Sequence, residues 1–256
     1  MIELDAATVL LQWSVGGLFF LWVTTRRREV GIGYGWTMRI TYGVMAAGGV
    51  VVGLLLDTEP VREAFGAGVV AATAFALGVS VARRKAGVAG QRDEEERRTA
   101  RVAAMTGIDR EAQRFDRNVP EFPPVLDLVA PVLGLVALVA AGIGAGDPAL
   151  LALARTLVGA LFLGAVSDAM LLGHWYLVQP GLARAPILEL VRWTAILWPF
   201  ELLVLVWPTG MLSVLSGTID DGYGGMLGWF WAASAVATIL LVGATRAALR
   251  ERQYSA

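Results

Sequence analysis

The stretch AATVLLQWSVGGLFFLWVTTRRR, residues 6–28, decides the class of this protein. Its first part, 6–23, holds no charged side chain, and Arg26, Arg27 and Arg28 follow directly. A bilayer core about 30 Å thick takes about 20 apolar residues to cross as a helix. Arginines clustered just past such a run mark the end that stays in the cytoplasm. Glu3 and Asp5 precede the run, with no basic segment and no small-residue cleavage pattern, so the run reads as a retained span.

Six further apolar runs repeat the pattern at 40–56, 64–81, 126–143, 149–172, 187–207 and 226–244. They are continuous and do not alternate, which points to helices and away from the strands of a membrane barrel. Composition agrees. Hydrophobic residues make up 56% of the 256 and the mean hydropathy is +0.62, whereas a soluble domain is about 45–50% apolar.

The charges sort the loops into two sides. Arg83, Arg84 and Lys85 follow the third run, Arg184 lies between the fifth and sixth, and Arg246, Arg250 and Arg252 follow the seventh. The opposite loops carry Glu3, Asp5, Asp57, Glu59, Asp147, Asp220 and Asp221, with Arg62 their only cation. The positive-inside rule then places the N-terminus outside and the C-terminus in the cytoplasm. The expected fold is all-α, a polytopic membrane helical bundle of about seven transmembrane helices forming one domain over 1–256. Lys85 is the only lysine, the bias of a GC-rich bacterial genome, so the expected location is a bacterial cytoplasmic (inner) membrane.

The one sizeable polar segment is a cytoplasmic insertion at 83–124. Within it, 91–117 reads as a helix, with Asp93–Arg97 and Glu94–Arg98 at i,i+4 spacing. Val102, Met105, Ile108, Ala112 and Phe115 give it one apolar stripe, and Pro120, Pro123 and Pro124 end it. Such a helix lies on the membrane, docks a protein partner, or packs as a solvated connector. Gly49 with Gly53, and Ala160 with Gly164, allow close helix approach, chiefly inside the bundle.

With no cysteine and a single histidine, the chain has no means of building disulfides, thiolate metal sites or a histidine metal cluster. Nothing suggests an autonomous enzyme or a nucleic-acid partner. Charges inside spans carry the functional information, because they are costly there. They are Arg155, Asp168, Glu189, Arg192 and Glu201, with Asp127 at the edge of the fourth run. From a rise of ~1.5 Å per residue, Arg155 and Glu201 fall ~7 and ~6 Å outside the midplane. Asp168 and Glu189 fall ~12 Å inside it, and Arg192 ~7 Å inside. Matched depths suggest the pairs Arg155–Glu201 and Asp168–Arg192.

Two functions fit this polar layer. One is movement of protons or a small ion through the fourth to sixth spans. The alternative is a non-catalytic or quinone-binding membrane subunit of a respiratory or redox complex. No cofactor is required. His174, in the string GHWYLVQP at 173–180, reads as interfacial, as a quinone or proton contact, or as an axial haem ligand completed by a methionine such as Met170. Asp220 and Asp221 read as a solvated turn or as an attraction for a cation.

Overall fold

A computed structural model describes residues 2–106, 115–116, 118–179, 182–207 and 210–250, and among these the regular structure is helical throughout. The helices are α1 (Ala6–Thr25), α2 (Ile32–Leu56), α3 (Pro60–Ala82), α4 (Ala89–Thr106), α5 (Val129–Gly144), α6 (Ala149–Val178), α7 (Ala185–Val206), α8 (Gly210–Leu215) and α9 (Met226–Ala248). A 3₁₀ turn, Pro124–Leu128, leads into α5. Six helices are long and apolar enough to cross a membrane: α1, α2, α3, α5 with its leading turn, α6 and α9. The sixth predicted run forms α7, 22 residues long, but Glu189, Arg192 and Glu201 make it more charged than those six.

Three boundaries differ from the sequence reading. α2 begins at Ile32, eight residues before the apolar run, and so takes Arg39 into its body. Hydropathy stops at a charge, whereas the backbone ladder continues wherever that charge is matched. α6 continues to Val178 and carries His174 on its last turns. α4 ends at Thr106, and Phe115 and Asp116 are not helical, so the predicted helix does not run through to residue 117. Residues 107–114, with Ile108 and Ala112 of the expected stripe, lie outside the described part, and Met105 is 78% exposed.

α1 is the axis of the bundle. α2, α5 and α6 enclose it, α3 packs on α2 and α5, α7 on α6, and α9 lies at the edge against α7 and α8. Leu11, Val15, Leu18, Phe20, Leu21 and Val23 point to different sides of α1, and all are buried. A helix can be covered all round only if some neighbours come very close. A side chain at Gly16 would stand 1.8 Å from the Ala160 carbonyl oxygen, and one at Gly164 would stand 2.2 Å from the Gly16 carbonyl carbon. These bare surfaces bring α1 and α6 into backbone contact, the packing that drives helix association where lipid removes the hydrophobic contribution.

Hydrogen bonds between turns group them into two ends. At one end Glu3 meets Ala145, and Arg62 binds Asp5 and the Asp57 carbonyl. At the other, Gly90 N–H donates to Arg28, Asp116 N–H to Lys85, and Arg184 to the Leu249 carbonyl. The first is the acidic end and the second the arginine-rich end.

Candidate functional site

Asp168 of α6 lies where α1, α2 and α6 meet and is 0% exposed. Tyr42 of α2 donates its hydroxyl to Asp168 Oδ1 at 2.6 Å and lies 3.1 Å from Ser167 Oγ. Gly17 leaves room for the Tyr42 ring, and Ser14 Oγ donates to the Tyr42 carbonyl at 2.7 Å. The Tyr34 hydroxyl, one α2 stripe further on, faces the same carboxyl, yet neither that oxygen nor Asp168 Oδ2 completes a hydrogen bond. Among the described residues, no arginine forms an ion pair with it. Whether ionised or protonated, the carboxyl faces two neutral hydroxyls, those of Tyr42 and Tyr34, and no cation among the described residues. An enclosed carboxyl with neutral partners alone is a candidate functional group and not one half of an ion pair.

Towards the arginine-rich end, Arg39 and Asp127 form a buried pair, their side chains 3% and 2% exposed. Nε and Nη2 of Arg39 donate to the two Asp127 oxygens at 2.8 and 2.7 Å, and Thr25 Oγ1 donates to Oδ2 at 3.2 Å. The 3₁₀ turn sets Asp127 at this depth, and Phe122 covers the guanidinium at 4.3 Å from ring centre. Glu121 ties that cover down: Arg28 and Arg92 bind its carboxylate, and Arg83 donates to its carbonyl. A cavity of about 20 Å³ lies against Thr25, Arg39, Ser80 and Phe122, room for about one water.

At the acidic end, Arg62 binds Asp5 at 2.5 Å, Glu63 at 2.6 and 2.8 Å and Thr8 at 3.0 Å. Burial raises the Asp5 pKa, but the Thr8 amide and Arg62 outweigh it and hold the carboxyl below the ordinary aspartate value. Between the ends, Gln12 donates to the Thr156 carbonyl at 2.8 Å. Polar side chains thus recur beside α1 from Asp5 through Thr8, Gln12, Ser14, Tyr42 with Asp168, and Thr24 to Thr25 with Asp127. Twenty residues of helix, ~30 Å, separate the first from the last.

The predicted network does not form as one layer. Arg155 does not bind Glu201. Its Nε donates to the Val204 carbonyl at 2.7 Å and its Nη2 to that of Trp207 at 3.2 Å. The open carbonyls at the end of α7 attract a cation, and Arg155 caps them. Glu201 is half-buried with Oε2 unpartnered. Asp168 does not bind Arg192, because Asp168 faces α1 and α2 while Arg192 is exposed on the outer side of α7. Glu189 is bound by Arg26 and Arg27, and Asp127 by Arg39. His174 is exposed, with Nδ1 3.3 Å from the Met170 carbonyl. Asp221 accepts from the amides of Gly225, Tyr223 and Leu227, which lowers its pKa and ties the preceding turn to the start of α9.

Tyr34, Tyr42 and Arg39 are the residues that sequence reasoning missed. A signal was present: Tyr34, Met38, Tyr42, Ala46, Gly49 and Gly53 recur at helical spacing and are all buried. Among the described residues, no three His, Asp or Glu side chains converge as a metal group. Comparison with known proteins finds no matching family model, no matching curated protein and no matching solved structure.

Proposed function

We propose that this chain crosses the membrane seven times, with the arginine-rich end in the cytoplasm, and moves protons along the polar side chains beside α1. Asp168 is the carrier. The supporting observation is its setting: a fully buried carboxyl with no cationic partner among the described residues, one hydrogen bond from Tyr42 and the Tyr34 hydroxyl facing it. An ionisable residue in such a place inside a membrane bundle is functional by default. The other polar groups extend from it towards both ends, with Arg62 at one and the Arg39–Asp127 pair at the other. The expected polar layer of the fourth to sixth spans is therefore relocated to α1, α2 and α6. The location follows as a bacterial inner membrane, from the arginine bias and the loop charges.

The test is proton uptake into proteoliposomes containing a pH-sensitive dye under an imposed potential. The wild-type chain is expected to acidify the lumen. Asp168→Asn, which keeps shape and the bond from Tyr42, is expected to insert normally and lose the flux. A wild-type chain that moves no protons, or a variant that moves them as well, overturns the proposal.

A second reading, a membrane subunit of a redox complex, draws on α9, where only Gly228 is buried, and on the outward His174. Stoichiometric copurification of other chains, or a haem or quinone absorption spectrum, would favour it over proton movement by this chain alone.

A further inference from the structure

We infer that Arg192, with Arg26 and Arg27, forms a binding site for the phosphate of an anionic membrane phospholipid. The inference rests on the membrane placement of the bundle and not on proton movement. Arg192 is exposed, with no hydrogen bond or ion pair among the described residues. It shares the outward stripe of α7 with Leu188, Ile196, Phe200 and Leu203. A guanidinium on an apolar, lipid-facing stripe needs an anion or water.

The nearest carboxylate is already taken. Glu189, one turn back, is held by both Arg26 and Arg27, so these two guanidinium groups and the unbound Arg192 set three positive charges against its one, a net +2. Arg192 lies only ~4.5 Å further along the axis than Glu189. Helical side chains lean towards their N-terminus, and α7 starts at the arginine-rich end. The Arg192 side chain therefore reaches back to the level of Arg26 and Arg27. Below that level Trp22 lies 5.1 Å from Arg26, and Trp193 packs edge-on against Phe20. A cationic rim over an aromatic wall matches a lipid headgroup with its acyl chain. Arginine binds phosphate through two parallel N–H donors, and the cytoplasmic leaflet is the anionic one.

The full chain would be placed in nanodiscs of phosphatidylcholine with a minority of phosphatidylglycerol, then released into detergent for native mass spectrometry of bound lipid. The wild type is expected to retain phosphatidylglycerol, and Arg192→Gln to bind it about tenfold more weakly, the effect of losing a charge-assisted contact. Arg192→Lys keeps the charge without the fork and should fall between them; it also serves if Arg192→Gln fails to fold. Arg84→Gln, an exposed change at the end of α3, which packs on α2 and α5, should bind as the wild type does. Equal retention of both lipids, equal retention by Arg192→Gln, or displacement of the lipid by millimolar inorganic phosphate would each overturn the inference. So would a copurifying protein that Arg192→Gln releases while lipid stays bound.

Discussion

Arg39 and Asp127 are two charges removed from water together, and their meaning differs from that of Asp168. The pair is bidentate and supported by Thr25, with Phe122 over it. Replacing both members of a buried pair by apolar residues is often neutral, while removing one leaves an uncompensated buried charge. Asp127→Asn is therefore expected to lower unfolding free energy by about 3–5 kcal/mol. Arg39→Leu combined with Asp127→Leu should lose less than either single change. Denaturant unfolding in detergent checks both, and a double variant as unstable as the sum of the singles would remove the pair from the account. Asp168 has no cation to strand. Asp168→Asn should change stability by only about 1 kcal/mol, the scale of one neutral hydrogen bond, so loss of flux and loss of fold separate cleanly at this residue.

Among the elements, α7 is set apart from the six apolar helices by its three charges, and the proposed seventh crossing depends on it. At 22 residues it is ~33 Å long, enough for a bilayer. Its charges differ in setting: Glu189 is held by Arg26 and Arg27, Glu201 is half-buried, and Arg192 is exposed. The native chain has no cysteine, so single cysteines report without background. A cysteine at Ala183 is expected to react with a membrane-impermeant thiol reagent only from the cytoplasmic side, and one at Thr218 only from outside. Labelling of both from the same side would mean that α7 does not cross. The apolar runs of α1, α3, α5 and α9 were legible because a membrane helix is long and uninterrupted. The start of α2 was not, because Arg39 reads as a boundary until Asp127, 88 residues later, is brought against it.

In the molecule as a whole, position along each helix was legible and direction was not. A rise per residue gives the height of Asp168 and Arg192, but which side of its helix each one faces depends on which helix is the neighbour. Gly16 and Gly164 settle that by seating α1 against α6 and turning Asp168 towards Tyr42. α6 and α7 do pack as neighbours, yet Asp168 faces away from α7 towards α2. On the proposed function Asp168, though enclosed, exchanges its proton with water along α1. Infrared difference spectroscopy of the chain in bilayers, moved from H₂O to D₂O, reads that exchange directly. The expected result is a protonated-carboxyl C=O band that shifts to lower frequency within minutes in D₂O and is missing from Asp168→Asn. A band that stays unshifted for hours, or one that survives in Asp168→Asn, would contradict the claim.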